Sequence, residues 1–339
     1  MCENNRGADR TVATLTGTLI ALGLLALVSA VRSAEPPKKL DPAGWGGDHV
    51  GKPVPEFDTA NECLFCHRND VGPAWANNRH NRTIRPTDEK SPALAALKEL
   101  PGFKGLPGAV EFVIGGDTRQ RFLKPGADYG TLELLSVSWS PPRKGREGEL
   151  VSPEKPHWDA KAFGSGCAGC HATGVNSDKR TFAVKSLDCF VCHGEVPDKH
   201  TKDKSLVYLG IKRADPARVV ASVCAQCHVR SGKSKSSGLP YPNNFVAGDN
   251  LFRDFQVDFS DEAIAKLNPA DRHVVANVRD VAVLGKEEVT CLSCHEVHKA
   301  SGKKHHRVAE GRICLDCHNA EGPKSVRKSY EVHSAVCGY

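Results

Sequence analysis

Cys167-Ala168-Gly169-Cys170-His171 and, shortly after it, Cys189-Phe190-Val191-Cys192-His193 are two copies of one pattern, and that pattern decides the fold. Working outward, it recurs at Cys63-Cys66-His67, Cys224-Cys227-His228, Cys291-Cys294-His295 and Cys314-Cys317-His318, six copies in all. On a helical turn, residues i, i+3 and i+4 share a face, so two thiols and an imidazole can address one flat ligand. Cys-x-x-Cys-His is the spacing of covalent c-type haem attachment: the thiols form thioethers and the histidine binds the iron. Zinc ribbons and disulfide frameworks also use Cys-x-x-Cys, but neither needs a histidine directly after the second cysteine. With 15 His in 339 residues, chance places one after all six pairs with a probability on the order of 10⁻⁸.

The sequence therefore predicts six covalently bound haem c groups. Cys63, Cys66, Cys167, Cys170, Cys189, Cys192, Cys224, Cys227, Cys291, Cys294, Cys314 and Cys317 are the attachment residues, and His67, His171, His193, His228, His295 and His318 the proximal ligands. Twelve of the 14 cysteines are used in this way, leaving Cys2 and Cys337 without an assigned role.

The second ligand on each iron separates electron carriage from catalysis, since a vacant position can bind substrate. Methionine is excluded because Met1 is the only one. Nine histidines lie outside the motifs, enough for imidazole on both faces of six irons, and six are candidate distal ligands: His80, His200, His298, His273, His157 and His333. His305 and His306 are adjacent, so at most one of them would ligate, and His49 sits in a Gly/Pro-rich leader.

Residues 1–34 read as an export signal. Arg6 and Arg10 precede an uncharged apolar stretch from Thr11 to Val31, and Val28-Ser29-Ala30 forms a small-residue cleavage site. The competing reading is an uncleaved anchor that would hold the chain near a membrane. Export suits cysteines that must be handled outside the reducing cytosol, so the expected location is periplasmic or extracellular. The formal charge of +6 is no nucleic-acid footprint. Six ferric bis-histidine haems would add about −6 and six ferrous ones about −12, which leaves the basic stretches to solvate the surface, pair with propionates or meet a redox partner.

Beyond the signal, residues 35–104 form a first haem segment, 105–156 a small β insertion and 157–339 a five-haem region. Ala109–Ile114, Arg119–Leu123 and Thr131–Val137 read as a three-strand meander, with Gly115-Gly116-Asp117 and Pro125-Gly126-Ala127-Asp128 as turns. Short helices are expected at Ser91–Leu100, Asp215–His228, with Asp215 as cap, and Ser260–Leu267. The fold class is thus mostly α with long loops and a small β meander, organised around stacked haems. The close spacing of Cys167 to Cys189, and of Cys291 to Cys314, predicts that the second and third haems, and the fifth and sixth, form pairs.

Three segments carry a resemblance: Trp75-Ala-Asn-Asn-Arg-His80, His193-Gly-Glu-Val-Pro-Asp-Lys-His200 and Cys294-His295-Glu-Val-His298. They, and the β segment from Glu111-Phe-Val-Ile-Gly-Gly through Arg119-Gln-Arg-Phe-Leu to Trp139, resemble the multihaem cytochrome c family that includes the tetrahaem nitrifier cytochrome and octahaem tetrathionate reductase. The resemblance spans roughly residues 60–320 and implies distal ligation by His80, His200 and His298. Asn78 stands where that family usually has serine. Family members carry electrons, reduce small oxyanions or form filaments. The residues favour an electron carrier working between donor and acceptor redox proteins. The alternatives are a reductase or oxidase of a small nitrogen or sulfur oxyanion, with one five-coordinate haem, and a homo-oligomeric filament subunit. No Cys-x-x-Cys-Lys motif, the variant of pentahaem nitrite reductase, is present.

Overall fold

A computed structural model describes residues 55–106, 108–210, 212, 215–284 and 290–298. Residues 1–34, Cys314, Cys317, His318 and His333, together with the Cys294 side chain, lie outside the described residues.

One antiparallel sheet organises the first half. Strands β1 (Ile84–Pro86), β2 (Phe112–Gly115), β3 (Gln120–Pro125), β4 (Leu132–Ser140) and β5 (Glu149–Val151) pair in sequence order, and β6 (Trp158–Asp159) adds to β4. The expected meander is its centre, β2–β3–β4. The flanking β1 and β6 come from outside residues 105–156, so the sheet draws on both neighbouring segments. The β2–β3 turn depends on Gly115, whose φ of +85° suits glycine and where a Cβ would collide with the Arg119 carbonyl.

Side chains alternate across this sheet, as a two-residue period requires. Val113, Phe122, Leu135 and Val137 face one way and pack on Ala93, Leu94 and Leu97. Ile114, Leu123 and Leu134 face the other way, against Phe163, Ala168 and Ala172. The first face is covered by a helix, the second by the segment bearing Cys167 to His171.

The helices, in chain order, begin with α1 (Ala60–His67), α2 (Gly72–Ala76), α3 (Pro92–Glu99), α4 (Ala162–Gly166) and α5 (Ala168–His171). They continue with α6 (Cys189–His193), α7 (Ala217–His228), α8 (Leu251–Asp254), α9 (Asp261–Lys266), α10 (Pro269–Asn277) and α11 (Cys291–Cys294). Helix α3 starts after Ser91, and α9 is capped by Ser260, whose side chain accepts the Ala263 N–H, as the sequence indicates. Helix α7 starts later than expected, at Ala217 with Pro216 at its cap. Asp215 does not cap it, because its carboxylate accepts the Leu209 N–H at 2.7 Å and closes the preceding loop instead.

The second half is built on α7. Ala225 and Val229 pack with Leu251, Phe255, Ile264, Val275 and Val278, which brings α8, α9, α10 and the π-helical turn Val278–Val283 around it. No helix among the described residues is long and apolar enough to cross a membrane.

Candidate haem centres

Each described Cys-x-x-Cys-His begins on or runs along a short helix, as the i, i+3, i+4 geometry asks. The motifs differ in setting. At the first, Phe65 is 79% exposed and Cys66 is exposed too. At the second, Gly169 lies so close to the ring of Tyr241 that a Cβ there would stand 2.3 Å from it. Tyr241 is fully buried and its hydroxyl donates to the Gly164 carbonyl, so the ring cannot swing aside.

Asp188, immediately before Cys189, ties two motifs together. One carboxylate oxygen accepts the Phe190 N–H of α6 at 3.1 Å, and the other accepts the Ala60 N–H at the start of α1 at 2.8 Å. A single buried side chain therefore caps both helices, satisfying backbone donors that helix starts leave open.

Thiols of different motifs lie near enough to shift one another's pKa: Cys63 with Cys189, Cys170 with Cys227, and Cys224 with Cys291. Cys170 Sγ is 3.9 Å from the Gln226 carbonyl and Cys227 Sγ 3.8 Å from that of Gly169. Gln226, inside the fourth motif, donates to the Val191 carbonyl of the third at 3.3 Å. Contact thus runs from the first motif to the third, and from the fourth to the second, third and fifth. Sequence spacing pointed to a second–third haem pair; these two motifs adjoin as well, since the Asp188 N–H before the third donates to Thr173 Oγ1 just after the second at 3.0 Å. The fifth–sixth pair lies outside the described residues. Burial pushes the Cys192 thiol up to about 11, and the adjoining thiol together with burial raises Cys224 and Cys227 as well.

Two motif histidines face a second imidazole. The rings of His193 and His298 have centroids 5.8 Å apart, and those of His228 and His80 are 6.3 Å apart. An iron ligated on both sides by imidazole nitrogens at about 2 Å separates the two ring centroids by about 6 Å. Hydrogen bonds also fix which nitrogen is available. His193 Nδ1 lies 2.6 Å from the Tyr208 carbonyl and His80 Nδ1 lies 3.2 Å from Asn78 Oδ1. Both partners are acceptors, so Nδ1 carries the proton and Nε2 keeps the lone pair a metal needs. The donor set fits haem iron in chemistry and in separation. Among the described residues, no three His, Cys, Asp or Glu side chains converge as a metal-holding group, which is the arrangement a zinc site would require.

The other candidates stand apart from these two pairs. His200 Nδ1 is 2.9 Å from the Pro197 carbonyl, leaving Nε2 available. His157 is exposed, with Nδ1 3.2 Å from the Lys155 carbonyl. His273 lies on α10 with Nε2 3.1 Å from Asn277 Nδ2. His67 Nδ1 meets Asp70 at 3.0 Å, and burial, with Arg230 next in weight, lowers the pKa of His171 to about 4. Thr83 Oγ1 donates to the His171 carbonyl at 2.9 Å, joining the segment that carries His80 to the second motif.

Sequence reasoning missed Asp188, Gln226, Tyr208 and Tyr241. An Asp just before a helical Cys-x-x-Cys is a readable cap signal, so Asp188 was within reach. Nothing in the sequence marks the carbonyl of Tyr208 or the side chain that will cross to another motif.

Repeated Cys-x-x-Cys-His helices and facing imidazoles are features that a multihaem cytochrome c would have. Residues 159–239, which span the second, third and fourth motifs, match the family model for cytochrome c3. Among curated proteins the chain is similar to cytochrome c-552 of Bacteroides thetaiotaomicron, 26% identical over 168 residues, covering 43% of this chain and 34% of that protein. The chain thus spans about a third of the length of that relative. No solved structure matches it. The two likenesses support a multihaem cytochrome c with covalently bound haem.

Proposed function

We propose that this is an exported hexahaem c-type cytochrome, periplasmic or extracellular, that carries electrons between redox partner proteins through bis-histidine haems of low potential. The observation that carries it is the pair of opposed imidazoles, His193 with His298 and His228 with His80, each at the separation of two axial ligands. Haem c bound in this way supplies one-electron exchange between ferric and ferrous iron, and imidazole on both faces leaves no site for substrate.

The chain's own residues divide the work. The twelve motif cysteines would anchor the haems, and His67, His171, His193, His228, His295 and His318 would ligate from the proximal side. His298 would be the second ligand with His193, and His80 with His228. His200, His273, His157 and His333 would serve the remaining centres. The Tyr208 carbonyl holds His193 in the tautomer that ligates. The fourth motif is the junction, because its thiols and Gln226 reach the second, third and fifth. Its haem would therefore have the most neighbours. Similarity of the His80, His200 and His298 segments to the tetrahaem nitrifier group agrees with this use of distal histidines.

Two measurements test the reading together. Intact mass should show six haems added to the exported polypeptide, and paramagnetic resonance of the oxidised protein should contain low-spin ferric signals alone. A smaller haem count, or a stoichiometric high-spin signal with turnover of nitrite or hydroxylamine, would replace a carrier with an enzyme.

A further inference from the structure

Asn78 touches His80 and the residue before His298, and the proposed ligation places these two histidines on the far sides of two different irons. Its side chain is fully buried, at 0% exposure. Oδ1 accepts the His80 backbone N–H at 2.9 Å and lies 3.2 Å from His80 Nδ1. Nδ2 donates to the carbonyl of Val297, the residue before His298, at 2.5 Å. The amide's orientation is unambiguous, since it meets a backbone donor on one side and a backbone acceptor on the other. Joining them takes an acceptor and a donor on one planar group, which asparagine has and serine is too short to match.

We infer that Asn78 is a positioning residue shared by two haem centres. Through Oδ1 it fixes the ring and tautomer of His80 over the iron of His228. Through Nδ2 it holds the turn that presents His298 to the iron of His193. A hydrogen bond to Nδ1 strengthens Nε2 as a donor, which favours the ferric state and lowers the potential. One amide thereby bears on two centres, through the ligand basicity of His80 and the placement of His298.

The surrounding backbone is anchored independently. Leu187 N–H donates to the His80 carbonyl at 3.1 Å, and Ile84 N–H to Ser186 Oγ at 2.9 Å. Loss of the amide is therefore a local change and leaves this strap in place.

The inference rests on the proposed axial roles of His80 and His298, so the experiment separates the two. Holoproteins carrying N78A, N78S, H80A and H298A are compared by intact mass, paramagnetic resonance and potentiometric titration. In N78A, with the haem count unchanged, two centres should shift, that of His80 to more positive potential, by up to about tenfold in the oxidation equilibrium or ~59 mV for a one-electron couple, with altered g-values at both. N78S retains an acceptor for His80 but cannot reach Val297, so one centre should shift. H80A and H298A should each create one high-spin ferric haem. If they do and N78A leaves every potential and g-value at its wild-type position, or moves a single centre, the shared role is wrong while the ligation stands. If H80A and H298A leave all haems low-spin, the ligation fails and takes the inference with it. Should N78A lose haem, N78S alone decides: two shifted centres, or none, overturn it.

Discussion

The first motif and the fourth share a pattern and little else. Around Cys63 to His67 the helix α1 contributes no buried residue, Phe65 projects into solvent and Asp70 pairs with His67 at the surface. Around Cys224 to His228 the helix α7 buries Val219 through Val223, Ala225 and Gln226, and three other motifs abut it. Identical attachment chemistry thus sits in a peripheral position and a central one. The difference teaches that the motif alone does not set its surroundings: the helix behind it decides whether it lies at the edge of the motif contacts or at a crossing among them.

Four experiments sharpen or break that contrast. The largest effect belongs to double alanine replacement of Cys224 and Cys227. It should lower the yield of folded holoprotein severely, whereas the same change at Cys63 and Cys66 should remove a single haem and leave five. Equal yields, with five haems in both, would make the fourth motif no more central than the first.

Next in size, Gly169→Ala forces a Cβ against the fixed ring of Tyr241 beside the fourth motif and should cost about 1–3 kcal/mol, read as a lowered thermal midpoint. An unchanged midpoint would mean that this junction is loosely packed. Asp188→Ala removes two helix caps at once and should cost about 2 kcal/mol while loosening the first motif from the third. Hydrogen exchange at the start of α1 should rise, and protection unchanged there would show that the cap does not bind the two motifs together. The smallest effect is expected at Phe65→Ala, within about 0.5 kcal/mol because the ring is exposed. If this motif is a terminus facing a partner, electron exchange with that partner slows although stability holds.

Legibility followed the range of the interaction. The meander was readable because strand alternation and Gly115-Gly116-Asp117 are local signals, and the α3 and α9 helices because Ser91 and Ser260 precede them. Asp215 misled because an aspartate before Pro-x-x is a fair cap, but here a nearer donor, the Leu209 N–H, claimed its carboxylate. The flanking strands β1 and β6 were missed because each is only two or three residues long and is defined by the strand it joins.

By itself the sequence determined the repeated motif: six copies of Cys-x-x-Cys-His whose atoms share one helical face, with enough further histidine to supply a second ligand to each of six irons. Which imidazole faces which, and which thiols meet, was decided by the tertiary structure alone. The physical reason is that closing a longer loop costs only about 0.6 kcal/mol per doubling of its length, so motifs far apart in the chain can meet as well as near ones. The burial of α7 and the Asp188 bonds to two helix starts bring the fourth motif against the second, third and fifth and the first against the third.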